Sequence, residues 1–114
     1  MLLHCYPYHR EAAYLAAAYP HVYLDVGLAL THVGPSRAGA VLAEALELSP
    51  YGKMLYSSDA FGLPELYHLG ALVFRRGLTA LLEGWVDAGE CSTVDAGRIA
   101  RLIAADNAAR VYRL

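Results

Sequence analysis

The sequence is poor in cysteine, in excess charge of either sign and in long uninterrupted apolar runs. Its two cysteines, Cys5 and Cys91, are too few for a disulfide-dependent scaffold and fit a reducing cytosol. The net charge of −2 gives no electrostatic reason to expect a nucleic-acid or anionic-membrane partner. No apolar run approaches the roughly 20 residues of a membrane span, and the first residues lack the basic segment of a signal peptide. We therefore expect a cytoplasmic protein without membrane or nucleic-acid partners.

The chain is rich in apolar residues, which make up 57% of it, whereas charged residues make up 18%. This balance argues against disorder and predicts heavy burial. A length of 114 residues is enough for one domain with its own core and too short for two. The composition therefore predicts one domain over residues 1–114.

Short β-type apolar runs alternate with longer helix-type runs, which is typical of βαβ units on a parallel sheet. The three predicted strands are Met1 to Tyr6, Val22 to Leu28 and Lys53 to Ser58. Three parallel strands cannot close a barrel, which needs eight. The pattern thus predicts an α/β fold in which strands are missing on the N-terminal side, or one that assembles with copies of itself.

About four helices are predicted between and after these strands. Arg10 to Tyr19 is rich in alanine, and Ser36 is a suitable N-cap for a helix to Leu48. Pro64 fits the first turn of a long helix, and Ser92 with Asp95 resembles a capping box before the last one. The predicted helices are Arg10 to Tyr19, Arg37 to Leu48, Pro64 to about Trp85 and a last one containing Ile99, Leu102 and Ile103.

Three ionisable residues follow the predicted strands in positions where parallel α/β folds bind ligands, outside the carboxyl ends of the strands. His4 lies near the end of the first strand, His32 in the loop after the second, and Asp59 at the end of the third. An imidazole and a carboxylate on one rim are what a divalent metal site would use.

Each candidate also has a structural interpretation. Asp59 could cap a turn. His4 could be an ordinary hydrogen-bonded residue, and His32 could be a solvent-exposed loop residue. Asp25, in mid-strand, is interpreted as a buried carboxylate paired with a neighbour. The rings of Tyr6 and Tyr8 suit a pocket wall and suit loop packing equally well.

Several segments resemble the amidohydrolase-related family of metal-dependent hydrolases. The likeness is specific in HCYPYHREA, beginning at His4, and in SSDAFGLPE, beginning at Ser57, and it extends through VYLDVGLAL to the ending DNAARVY. It is closest to the branch associated or fused with glutamine-synthetase-like domains. The resemblance implies a TIM (β/α)₈ barrel of which this chain holds strands six to eight and their helices.

The resemblance also implies roles for two residues. His4 would be the sixth-strand histidine, which binds a second metal or positions water and substrate, and Asp59 the eighth-strand aspartate, a metal ligand and proton acceptor. The HxH pair of the first strand and the fifth-strand ligand have no counterpart here. We therefore expect a divalent metal, zinc, in the complete barrel, and weak metal binding or none by the isolated chain.

The leading functional interpretation is the C-terminal part of a metal-dependent hydrolase that acts on a small polar substrate and is inactive alone. His32, Tyr6 and Tyr8 are its candidate substrate contacts. The alternative is a non-catalytic barrel fragment that assembles with itself or with a partner supplying the missing strands. A third interpretation, a helix-turn-helix in the arginine-bearing C-terminal helices, is opposed by the acidic residues interspersed among the arginines.

Overall fold

The computed structural model describes residues 1–114 and contains six α-helices around a small parallel sheet. A 3₁₀ turn (Tyr51–Lys53) precedes the second strand, and a π-helical turn (Leu102–Asp106) joins the last two helices. The elements in chain order are α1 (His9–Ala18), β1 (Leu24–Asp25), α2 (Gly27–Val33), α3 (Pro35–Leu46), β2 (Met54–Leu55), α4 (Pro64–Asp87), α5 (Thr93–Arg101) and α6 (Asn107–Tyr112).

The sheet has two strands, not the three that the sequence predicts. β1 pairs with β2 in parallel, with Leu24 opposite Met54. The predicted first strand is reduced to a single parallel bridge from Leu2 to Leu24, with the Leu2 amide donating to the Tyr23 carbonyl at 2.8 Å. His4 and the residue after it have positive φ angles that turn the chain out of the sheet.

The predicted second strand is too long, because the chain becomes helical at Gly27. The Gly27 amide donates to the Asp25 carboxylate at 2.6 Å, which closes a tight turn directly after β1. His32 consequently lies in α2 and not in a loop, which corrects the sequence prediction. The third predicted strand is also shorter than predicted: a 3₁₀ turn ends at Lys53, the strand is Met54–Leu55, and irregular chain follows it.

The sequence predicts about four helices and the structure has six, because α2 and α6 have no predicted counterpart. The predicted helices begin close to where turn and capping residues place them. Pro64 begins α4, and the Ser92 hydroxyl accepts from the Asp95 amide at 3.1 Å, so the predicted capping box is confirmed. Ser36 is not an N-cap, because Pro35 already occupies the first turn of α3. The helix-turn-helix alternative requires a tight turn between the last two helices. The structure has a π-helical turn there instead, which continues directly into α6. No helix is both long and apolar enough to cross a membrane.

The core lies between the sheet and helices α1, α3 and α4, where 18 buried apolar residues form one cluster. Small residues allow close packing of α3 on α4: a Cβ on Gly77 would lie 3.2 Å from the Ala38 Cβ. The largest side chains with almost no exposure are those of Leu24, Leu30, Leu42, Met54 and Ile103.

Asn107 joins the C-terminal helix to the sheet. Its side chain is fully buried, and its amide donates to the backbone carbonyls of Tyr51 at 2.7 Å and Met54 at 2.8 Å. The side-chain oxygen Oδ1 of Asn107 accepts from the Arg110 guanidinium at 3.1 Å. Buried backbone carbonyls need hydrogen-bond donors. This one side chain supplies a donor to each of two carbonyls where the chain enters β2.

A partly buried hydrogen bond between His9 and Glu44 joins α1 to α3. His9 Nε2 lies 2.6 Å from the Glu44 carboxylate, and Arg10 and Arg37 approach the same carboxylate at 3.7 and 3.5 Å. The hydrogen bond with His9 is the main cause that holds the pKa of Glu44 below its ordinary value of 4.5. This cluster fixes the position of α1, whose first residues follow His4.

The Glu44 pair predicts an acid-dependent loss of stability. A carboxyl whose pKa is depressed in the folded state stabilises that state above the ordinary pKa, and the contribution is lost as pH falls through the folded pKa. We expect Glu44→Gln to reduce the drop in unfolding free energy between pH 6 and pH 3 by about 1 kcal/mol, measured by urea denaturation. The exposed Glu83, which forms no ion pair, supplies the control variant Glu83→Gln. Equal drops in the wild type and Glu44→Gln would contradict this assignment.

Candidate functional site

The candidate site lies at the carboxyl end of the sheet, where three segments of the chain come together. His4 follows the Leu2 bridge, and Asp59 follows β2. Their side chains approach each other, with His4 Nε2 3.6 Å from Asp59 Oδ2. The imidazole is 49% exposed and the carboxylate 54% exposed, so both groups are open to a ligand or to another part of a larger site.

The backbone at this site is unusual. Four non-glycine residues in the chain have positive φ, and three of them are His4 (69°), Cys5 (51°) and Asp59 (49°). Such conformations cost on the order of 1–3 kcal/mol each and persist only where surrounding structure enforces them. They concentrate at functional sites, so the strain independently singles out the rim that carries His4 and Asp59.

Asp25 belongs to the same end of the sheet, although its sequence pattern predicts mid-strand. It is 6% exposed, and burial raises the pKa of its carboxyl group. Hydrogen bonds from the Gly27 amide and the Ser57 hydroxyl act in the opposite direction, as does nearby His4, while Asp59 raises the pKa further. The sequence signal that places Asp25 at the end of the strand is Gly27, where α2 begins two residues later.

The side chains of the other candidate residues make no polar contact with those of His4 and Asp59. Tyr6 stacks on His9, with ring centroids 5.5 Å apart, so its ring packs in the loop. Tyr8 is 69% exposed, and His32 is exposed on α2. The Tyr6 amide donates to the His4 carbonyl at 2.6 Å, but no side-chain hydrogen bond or ion pair joins any of the three to His4 or Asp59.

Cys5 and Cys91 are both free thiols. Cys5 is partly buried and packs against the core cluster. Burial, with a smaller effect of the Asp25 carboxylate, raises the pKa of the Cys5 thiol. A thiol with a raised pKa is a poor nucleophile at neutral pH.

The geometry of His4 and Asp59 can be tested against a divalent metal. Tetrahedral ligands at about 2.0–2.1 Å from zinc lie roughly 3.3–3.4 Å from one another, and the two atoms here are 3.6 Å apart. Imidazole and carboxylate are also ligand types that zinc accepts. No group of three or more potential ligands occurs in the chain. The residues therefore fit two positions around one ion and do not complete its coordination.

Comparisons with known proteins show which family the chain resembles. The sequence model of the amidohydrolase family matches residues 3–114. Protein fluG from Emericella nidulans is 37% identical over 115 residues, covering this whole chain and 13% of that protein. The crystal structure of a protein from Lactobacillus casei ATCC 334, described as a metal-dependent hydrolase, superposes with a TM-score of 0.87 at 40% identity. That match covers 98% of this chain and 29% of the other.

The family model covers nearly the whole chain, whereas the chain spans less than a third of either relative. The strained rim with His4 and Asp59 is thus part of an α/β unit found within larger proteins. The chain belongs to the amidohydrolase family.

Proposed function

We propose that this chain forms strands six to eight of an amidohydrolase TIM barrel and supplies His4 and Asp59 to its divalent-metal centre. In this proposal the complete barrel hydrolyses a small polar substrate, and the chain alone is not a competent enzyme. The observation that carries the proposal is the 3.6 Å approach of His4 Nε2 to Asp59 Oδ2 at the carboxyl ends of parallel segments.

The two residues have different tasks in this proposal. Asp59 binds the metal and accepts a proton from the attacking water, as general base catalysis requires. His4 binds the metal or holds water and substrate, and its half-exposed ring is accessible for either task. The metal, for which zinc is our choice on ligand type, supplies Lewis acidity and a lowered water pKa when bound.

Residues around His4 and Asp59 form the substrate-binding part of the same proposal. Exposed Tyr8 and His32, with the partly exposed Tyr6, are proposed to form the outer wall against which substrate lies. Amphipathic rings can offer both an apolar face and a hydrogen bond there. A cytoplasmic location is proposed because both cysteines are free.

The metal proposal can be tested in a chimera. Residues 1–114 would replace the matching segment of the Lactobacillus casei protein, which this chain resembles with a TM-score of 0.87. We expect the chimera to bind zinc, and Asp59→Ala to lower its metal affinity at least about tenfold, because a direct ligand is lost. Metal content after dialysis against defined free zinc gives the measurement.

The exposed Asp87 at the end of α4 gives the matched control Asp87→Ala, for which we expect unchanged metal content. Metal content that is equal in the Asp59→Ala and unmodified chimeras would sink the proposed metal role. The isolated chain should not bind zinc stoichiometrically, and stoichiometric binding by it would show that the centre is more complete than we propose.

A second candidate function is non-catalytic association through the open edge of the sheet. The Leu2 amide and carbonyl bond to the Tyr23–Asp25 segment on one side, so in a parallel ladder the adjacent Leu3 amide faces the other side. A groove of about 330 Å³ follows this edge and is lined almost entirely by apolar residues, among them Leu3, Tyr8 and Leu15. An exposed edge beside an apolar surface favours pairing with another chain.

We expect the purified chain to self-associate or to bind a polypeptide that carries the missing barrel strands. Leu3→Lys places a charge at this edge and should shift the apparent dissociation constant at least about tenfold towards monomer. Sedimentation velocity over a concentration series gives the measurement. Val94→Lys is the control, because Val94 is an exposed apolar residue on α5 and does not line this groove. A chain that stays monomeric at high concentration and does not bind the N-terminal part of the Lactobacillus casei protein would contradict association.

A further inference from the structure

We propose that Asp25 is a positioning residue that fixes Asp59 through the backbones of Gly27 and Ser57. The inference rests on the proposed function, in which Asp59 is the carboxylate that the hydrolase site needs. Asp25 itself touches no substrate in this proposal. Its carboxylate fixes a turn, the turn fixes a neighbouring strand end, and Asp59 lies at that strand end.

The first link is the hydrogen bond between Asp25 and Gly27. Asp25 Oδ1 accepts from the Gly27 amide at 2.6 Å, and the carboxylate is almost completely buried. No side chain caps α2 from its N-cap residue Val26. Asp25 is therefore the side chain that satisfies the first amide of α2 and sets where this helix begins.

The second link is the contact between Gly27 and Ser57. A Cβ on Gly27 would overlap the Ser57 carbonyl oxygen and lie 2.7 Å from the Ser57 carbonyl carbon and 3.0 Å from its nitrogen. The start of α2 thus lies directly on the backbone that follows β2. Any shift of Gly27 must displace Ser57, because no side chain lies between them to absorb the movement.

The third link runs along the chain from Ser57 to Asp59. Asp59 adopts a left-handed conformation with φ of 49°, which surrounding structure must enforce. Its side chain is half-exposed and approaches His4 only at 3.6 Å, so side-chain packing holds it weakly. The Ser57 backbone, which lies directly against Gly27, is the nearest support for Asp59. Asp25 holds Gly27 and therefore this support in place.

A purely apolar packing role does not account for Asp25. Burying a carboxylate is unfavourable unless it receives hydrogen bonds, and Asp25 is 6% exposed. The oxygen that accepts from Gly27 compensates for this cost. An oxygen acceptor at this position is therefore the property that matters, and an amide should replace the carboxylate.

The test compares Asp25→Asn with Asp25→Ala in the 114-residue chain by NMR. Amide hydrogen exchange of Gly27 reports the first link, and backbone dipolar couplings of Ser57, Ser58 and Asp59 report the last. Asp25→Asn retains the acceptor, so exchange should stay within about threefold of wild type and the couplings should not change. Asp25→Ala should exchange at least about tenfold faster, with altered couplings at Asp59.

Asn107→Ala is the control for simple destabilisation, because it weakens the opposite end of β2 and should leave the Asp59 couplings unchanged. Should Asp25→Ala fail to fold, Asp25→Ser retains a shorter oxygen acceptor and should give intermediate exchange. Unchanged Asp59 couplings in Asp25→Ala, or altered ones in Asp25→Asn, would overturn the positioning role. The metal content of the Asp59→Ala chimera tests the proposed function separately. Failure of the positioning role and failure of the proposed function can therefore be distinguished.

Discussion

Replacing Gly27 by alanine is expected to leave the chain largely unfolded. A Cβ at this position would overlap the Ser57 carbonyl oxygen. That oxygen belongs to the backbone, which cannot move aside as a flexible side chain can. We expect a loss of about 4–5 kcal/mol or more, which approaches the whole stability of a typical small domain, about 5–15 kcal/mol. Circular dichroism with urea denaturation gives the measurement.

Gly84→Ala is the matched control, since Gly84 lies inside α4 and a Cβ there would have no atom within 4 Å. Alanine in a helix interior is better than glycine by about 0.5–1 kcal/mol, so this variant should be slightly more stable than wild type. A stably folded Gly27→Ala protein would show that α2 does not rest on the strand end as the structure has it.

Loss of the Asn107 side chain is expected to have the next largest effect. Asn107→Ala removes two hydrogen bonds to the carbonyls of Tyr51 and Met54 and leaves a void at a fully buried position. We expect a loss of about 2–4 kcal/mol, because buried carbonyls would remain without donors. Thermal and urea unfolding of the purified variant give the measurement.

Asn107→Asp sharpens this test, because it keeps the shape of the side chain but replaces the amide donor with an oxygen. It should be at least as destabilising as Asn107→Ala, since a carboxylate would face two carbonyl oxygens. The neighbouring Asp106 forms only an exposed ion pair with Arg101, so Asp106→Ala should cost no more than about 1 kcal/mol. A small effect of Asn107→Asp would show that shape matters here and hydrogen bonding does not.

The helices could be predicted more accurately than the strands, for a physical reason. A helix satisfies its own backbone, so local signals such as Pro64 and the Ser92–Asp95 capping box determine where it begins. A strand extends only as far as a neighbour pairs with it. The apolar runs at Met1 and Val22 predict full strands, but pairing is limited to the Leu2 bridge and to Leu24–Asp25.

The site could be predicted in part. Because parallel strands place their carboxyl ends on one rim, the order of elements suffices to bring His4 near Asp59, and the structure places them 3.6 Å apart. Asp25 could not be assigned to this rim, because its position depends on where the strand stops. The sequence predicts a loop at His32 because α2 is short and its N-cap residue, Val26, is not one that typically caps a helix.

The parallel pairing of Leu2, Leu24 and Met54 also has a consequence for how the chain folds. These residues are about 20 and 30 positions apart, and closing two loops of such similar length costs entropy that differs by only roughly 0.3 kcal/mol. Neither crossover therefore has a kinetic advantage through its length alone. The contact of α3 with α4 at Ala38 and Gly77 joins residues 39 positions apart and has no advantage through its length either. We expect the order of assembly to depend on the strength of helix packing and not on loop length.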